Sequence, residues 1–338
     1  MGKKNKHISH IIRIAVAVIA FLYFIIKNNP KAIANDFKEL NKFVFLLALG
    51  LYAAGNLIFV LRWLILLSIQ GIKVNYWPAV KLHLLGLFYN NALPGSVGGD
   101  VLRAWYVTKH TEKKIEAAMS VFVDRAVGLA CTIAIIFLSY WIIPAGDMDR
   151  HVQFKFDALR FVRNLAIGVF ALAALAAFVL FVMYKSRKLR PILFKYAFIF
   201  MLRWKMWSSR IVTAVKLYCS RPFTLLLTVI MTFVSQAMPI YGLYLVGQNL
   251  GIEAHIKYYY IFFPLSWIIG VIPISVGGAG VMELAIQRMF EAIDVFGKIP
   301  MLALAQRLTW ILTSIPGVFI HLTGRHLPDT AARMPAEE

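Results

Sequence analysis

Eight charged side chains stand inside or beside long apolar stretches of this chain: Arg62, Asp100, Arg103, Asp124, Arg125, Glu283, Arg288 and Arg307. A charge in hydrocarbon costs about 3 kcal/mol or more unless it is paired or hydrated. The basic members suit a phosphate, because a guanidinium presents planar, bidentate donors. The acidic members suit ion pairing, gating or proton coupling. Arg62, beside Trp63, is placed to snorkel. Several of these groups flank a segment that occurs twice, LPGSVGGDVLR (Leu93 to Arg103) and PISVGGAGVME (Pro273 to Glu283).

Aligning Pro94 with Pro273 matches Ser96 to Ser275, Val97 to Val276, Gly98 to Gly277 and Gly99 to Gly278. About thirty residues after each proline an arginine follows inside an apolar stretch, Arg125 in VDRAVG and Arg307 in AQRLTW. Each serine occupies an N-cap position with two glycines in the turn that follows. Such a turn exposes N–H donors and the positive end of a helix dipole, and glycine lets a bulky anion approach. The same glycines also suit a tight hairpin with close helix packing. The expected headgroup contacts are Ser96, Gly98, Gly99, Arg103, Arg125, Ser275, Gly277, Gly278 and Arg307, with Asp100, Asp124 and Glu283 in gating or proton coupling.

No catalytic residue, cofactor or metal is assigned. HExxH, GxxxxGK[ST], a cysteine-rich metal spacing and a complete GxGxxG are all missing from the sequence, so no enzyme is expected. Cys131 and Cys219 offer no disulfide framework. His321 and His326 fall at the end of the last apolar stretch, an interfacial position. Asp147 and Asp149 have the spacing of an acidic pair that could hold a metal–sugar-phosphate, and a solvated loop is the preferred reading.

The elements around these residues must be membrane helices. Of 338 residues 60% are hydrophobic, and a mean hydropathy of +0.71 exceeds what a soluble chain this long buries. Six apolar stretches reach the roughly 20 residues needed to cross a bilayer: 8–26, 43–69, 116–143, 161–184, 222–249 and 299–323. Two more, 78–109 and 256–294, are each split by the repeated segment. Backbone groups freed at such a break are tolerated only where protein buries them or water reaches them. The expected fold class is therefore an all-α polytopic membrane protein with about six full spans and two re-entrant or broken helical hairpins. Three spans separate the two hairpins, which gives an inverted repeat if each hairpin returns to its own side. If each split segment crosses once, the relation is parallel.

The expected organisation is one membrane domain over 1–325, with repeat 1 about 43–143, repeat 2 about 222–323 and a polar tail 326–338. Residues 185–221 carry ten basic groups and no acid, interleaved with apolar residues at helical spacing. That reads as a basic interfacial helix over about 186–220, linking the halves and gathering anionic headgroups. The formal net charge is +20. Its concentration in the N-terminal arm, around 109–114 and in 185–221 puts those segments and both termini in the cytoplasm by the positive-inside rule. The first apolar stretch is longer than a signal-peptide core, so an uncleaved span is expected.

LPGSVGGDVLR, VDRAVG, SVGGAGVME and RLTWILTSIPG together resemble the lysylphosphatidylglycerol synthase transmembrane region, a flippase-like family that includes the membrane part of MprF-like synthases. The resemblance covers residues 10–325 and implies movement of a phospholipid or lipid-linked headgroup between leaflets of a bacterial inner membrane. It matches Asp100 and Arg103 to the first family motif, Asp124 and Arg125 to the helix motif, Glu283 to the second glycine motif and Arg307 to the last. The sequence ends at AARMPAEE without the soluble, tRNA-dependent domain of those synthases, so lysyl transfer is not expected. The reading is thus a lipid flippase whose partners are an anionic or zwitterionic lipid and the surrounding membrane, with no nucleic acid. Two alternatives stay open: an integral-membrane lipid or glycosyl transferase using Asp147 and Asp149, and a non-transporting subunit beside a lipid-modifying enzyme.

Overall fold

The computed structural model describes residues 21–92, 98–109, 114–143, 216–218, 220–271 and 275–323, with Thr111, Lys113, Lys185, Val212 and Thr213. Most of the 8–26 stretch, the 161–184 stretch, nearly all of the 186–220 helix, Ser96, Asp147, Asp149 and the tail lie outside the described residues. By its contacts the chain divides into two compact bodies, Met1–Val152 with Lys216–Glu338, and Gln153–Val215. Nearly all of the second lies outside the described residues, and the helices below belong to the first.

Nine helices are described: α1 Pro30–Glu39, α2 Lys42–Ile69, α3 Tyr76–Ala92, α4 Gly98–Lys109, α5 Lys114–Ile142, α6 Pro222–Asn249, α7 Ile256–Val271, α8 Val281–Glu291 and α9 Ile299–Leu322. Among them α2, residues 115–142 of α5, α6 and α9 are long and apolar enough to cross a membrane. They agree with the expected spans to within about a residue at most ends. Their outer faces carry exposed Phe43, Phe122, Trp141, Phe223 and Phe319. Lipid is the solvent that such surfaces require.

The helices after position 40 fall into two successive sets of four, α2–α5 and α6–α9, called the first and second units below. α2 and α6 both have 28 residues and begin 180 positions apart, as do α3 and α7. Both α2 and α6 stop in the same way. Gly71 (φ +69°) and Gly251 (φ +74°) take the left-handed conformation. Ile72 N then donates to Leu67 O and Ile252 N to Gly247 O, while each glycine N–H closes the inner bond to Ser68 or Gln248. This is the Schellman stop, and glycine enters it without a Cβ penalty.

α2 and α6 run antiparallel. Asn41 N donates to Asn249 Oδ1 at one end, Gly242 faces Ala48, Gly55 faces Ser235, and Arg62 reaches Thr232 towards the other end. The units are also exchanged across this pair. α3 packs on α9, where Asn91 donates to the Trp310 carbonyl and Gly317 lies against the Leu84 carbonyl. In the same manner α7 packs on α5, where Lys257 lies over the Tyr140 ring.

Both split segments are hairpins, not straight broken helices. Gly99 touches Gly86, and Tyr106 joins a buried cluster with Ala79 and Val80, so α4 returns along α3. In the second unit Gly278 meets Gly270 while Phe290 packs on Tyr259 and Phe262, so α8 returns along α7. The two turns differ locally. α4 begins at Gly98, and Ser96, the expected N-cap of the first copy, lies outside the described residues. α8 begins only at Val281, because Gly277, Gly278 and Gly280 all have positive φ and cannot join a right-handed helix. Ser275 is therefore not the N-cap of α8. It is buried six residues before the helix begins, and among the described residues nothing hydrogen-bonds to its Oγ.

Candidate functional site

A cavity of about 500 Å³ lies where the first hairpin, α5, α6 and the second turn meet. Its charged wall comes from three elements of the first unit: Arg62 on α2, Asp100 and Arg103 on α4, Asp124 and Arg125 on α5. The second unit contributes Ser235, Gln236 and Pro239 of α6, Trp267 and Gly270 of α7, Gly277 and Met282 at the turn, and Trp310 of α9.

The charges form one connected chain. Arg62, only 1% exposed, donates through Nε to Asp124 Oδ1 (3.0 Å), through Nη2 to the Asp124 carbonyl (3.2 Å) and through Nη1 to Thr232 Oγ1 (2.8 Å). It does not snorkel: it ties α2, α5 and α6 together at depth. Arg103 Nη1 stands 3.6 Å from Asp124 Oδ2, while its Nη2 pairs with Asp100 Oδ1. Asp100 Oδ2 then pairs with Arg125 Nε. Arg125 is the open end of the chain, with 47% of its side chain exposed. Phe59 lies under both Arg62 and Arg103, at 4.3 and 5.1 Å from ring centroid to guanidinium carbon, and shields their pairs from water. Three arginines against two aspartates leave one formal positive charge in the described wall.

The glycines have two separate uses. A Cβ at Gly99 would lie 2.5 Å from the Gly86 carbonyl oxygen, so this glycine is required for hairpin packing. Its N–H donates to Asn90 Oδ1 over 2.8 Å. Gly277 lines the cavity next to Asn90 and Asn91, and thereby brings the second motif to the end of α3.

Arg307 and Glu283 stand differently from the expectation of a headgroup ligand and a gate. Arg307 Nε donates to Glu283 Oε1 (2.5 Å), its Nη1 donates to the Gly277 carbonyl (2.8 Å), and Glu283 Oε2 accepts from Gly280 N (2.8 Å). Both side chains are buried behind the turn and neither lines the cavity. Gly278 and Ser275 are likewise outside its lining. The structure thus gathers Gly99, Asp100, Arg103, Asp124, Arg125 and Gly277 at the cavity and holds Arg307 and Glu283 as the frame of its second turn. Arg288 is apart, exposed and paired with Glu291 at 3.2 Å.

The sequence reading passed over much of the uncharged polar wall. His83 donates from Nε2 to Asn56 Oδ1 over 2.8 Å, and Gln236 Nε2 donates to the Gly128 carbonyl over 3.1 Å. A lone polar residue in an apolar helix has no spacing signature, although His83, Asn90 and Asn91 all precede the first motif closely. Among the described residues no group of three His, Cys, Asp or Glu side chains could hold a metal ion.

Apolar helices with lipid-compatible outer faces around an interior charged cavity define a polytopic helical membrane protein. The profile of the lysylphosphatidylglycerol synthase TM region matches residues 10–317, nearly the whole chain, and the chain belongs to that membrane-embedded, lipid-related family. No significant match was found among curated proteins or solved structures.

Proposed function

We propose that the protein moves a lipid with a phosphate-bearing headgroup between the leaflets of a bacterial inner membrane, acting as a transporter and not an enzyme. The observation that carries this reading is the cavity itself, an arginine-rich chamber that both hairpins and both units line. The two units form an inverted-topology repeat, since their first helices run antiparallel through the same membrane. Two inverted units can exchange which side the shared chamber faces.

Arg125 receives the phosphate, because it is the exposed end of the ion chain and its Nη groups carry donors beyond the Nε bond to Asp100. Arg103 lies one carboxylate behind it. Asp100 and Asp124 hold the arginines apart and in place, and exchange of Asp100 between Arg103 and Arg125 is the gating step. Gly99 and Gly277 let the headgroup approach backbone at the two turns. Arg307 and Glu283 position the second turn without touching the guest. The acyl chains remain in lipid, and both termini lie in the cytoplasm.

The test is reconstitution in liposomes containing fluorescent phospholipids, with leaflet exchange read by dithionite quenching. The parent protein should accelerate exchange over empty vesicles, and Arg125→Ala should return it towards the background. Exchange no faster than in empty vesicles for every lipid tried, with the variant indistinguishable from the parent, would sink the reading.

A further inference from the structure

The charge and hydrogen-bond balance of the cavity narrows the headgroup that it admits. Only two carboxylates line the described wall, and arginine holds both. Asp100 is paired through one oxygen to Arg103 and through the other to Arg125. Asp124 gives Oδ1 to Arg62, and its Oδ2 faces Arg103 Nη1. An ammonium group entering this chamber would meet a net positive wall and, among the described residues, no carboxylate outside an arginine pair, and a buried, unpaired charge is strongly disfavoured.

The unused polar capacity has the opposite sense. Among the described residues Trp267 Nε1 is a buried donor with no hydrogen-bond partner, while Arg103 Nη1 and Asp124 Oδ2, neither of them hydrogen-bonded, face each other as an ion pair at 3.6 Å. Asn90 uses Oδ1 for Gly99 N–H. Trp267 Nε1 is thus a donor awaiting oxygen. With Asn90 and the Trp310 ring on the same wall, it suits a hydroxyl on a small carbon frame.

We infer that the admitted headgroup is a phosphodiester bearing uncharged hydroxyls, such as glycerol, inositol or a sugar, and no ammonium group. The inference rests on the cavity being the headgroup site. It excludes aminoacylated and ethanolamine headgroups, and so separates this chain's guest from the lysylated lipid for which its family is named.

The experiment is equilibrium binding to the purified full-length protein in detergent, read by native mass spectrometry. The probes are phosphatidylglycerol, phosphatidylinositol, a polyprenyl phosphosugar, phosphatidylmethanol, phosphatidylethanolamine and lysylphosphatidylglycerol. The first three should bind about tenfold or more tighter than the last two, since each of the latter brings an uncompensated ammonium. Phosphatidylmethanol, a phosphodiester without hydroxyls, should fall between, and Trp267→Phe should narrow its gap from phosphatidylglycerol. The ranking among glycerol, inositol and sugar arms identifies the frame. Asn90→Asp keeps the acceptor for Gly99 N–H and adds a free carboxylate, so it should lower the preference over lysylphosphatidylglycerol about tenfold or more.

Equal binding by the parent protein, no binding at all, or preference for an ammonium headgroup overturns the inference. So does an Asn90→Asp variant that melts like the parent and keeps the parent's preference. Micelles have no leaflets, so failure of leaflet exchange would remove the transport reading and leave this ranking standing.

Discussion

Gly55 of α2 and Ser235 of α6 occupy the same position in their helices, the fourteenth of 28, and they face each other where the two helices cross. Their midpoints meet because two helices of equal length run antiparallel. A Cβ built on Gly55 would lie 2.6 Å from the Ser235 carbonyl oxygen and 3.4 Å from Pro239 Cδ. Backbone cannot yield as a side chain does, and small residues are what allow membrane helices to approach. Gly55→Ala should therefore destabilise the protein by about 1–3 kcal/mol. Gly50→Ala, with nothing within 4 Å of its Cβ, should not. Thermal unfolding in detergent compares them, and equal melting temperatures would argue against a close crossing.

The Arg62–Asp124 pair crosses from α2 to α5, and the Arg62–Thr232 bond extends it to α6. Both side chains of the pair are almost fully buried. Removing one partner leaves the other charged and enclosed, so Arg62→Met or Asp124→Leu should each cost about 3–5 kcal/mol. The double variant Arg62→Met with Asp124→Leu should lose less than either single change, because no orphaned charge remains. A double-mutant cycle on unfolding free energy measures this. Additive losses would show that the pair is not a unit.

Gly99 closes the first hairpin against Gly86. Gly99→Ala places a methyl against backbone and should open the α3–α4 contact, lengthening or breaking the Gly99–Asn90 bond. The expected loss is about 1–3 kcal/mol. Faster hydrogen exchange at the start of α4 locates the effect, whereas faster exchange spread evenly over all helices would contradict a local role.

The membrane helices were legible because hydrophobic length is a local property. The 222–249 span matches α6, and 43–69 differs from α2 by one residue. SVGG suggested a duplication, and α2 and α6 pack antiparallel, while the 161–184 span in the count between the motifs lies outside the described residues. The second turn misled for a conformational reason: SVGGAG contains a third glycine, Gly280, and the left-handed run delays the helix to Val281. Arg62 misled because its partners lie on helices 62 and 170 positions away. No neighbour in sequence distinguishes a snorkelling arginine from a buried tie. The roles of Arg125 and Arg307, alike in the aligned sequence, separate only once their exposure is known.

That separation gives the last prediction. Arg125 is half exposed, and its partner Asp100 keeps Arg103 when Arg125 is removed. Arg125→Ala should thus change stability by about 1 kcal/mol or less while abolishing most leaflet exchange. Arg307 is buried and holds both Glu283 and the Gly277 carbonyl, so its removal strands a carboxylate and frees the turn. Arg307→Ala should cost on the order of 3 kcal/mol and lose exchange as a consequence. Glu283→Gln in the Arg307→Ala background removes the stranded charge and keeps an acceptor for Gly280 N–H. It should recover part of the stability, and exchange in proportion. Melting temperature and exchange rate measured together on the four proteins decide the matter. If Arg307→Ala keeps its melting temperature and still loses exchange, Arg307 touches the lipid and does not merely frame the turn.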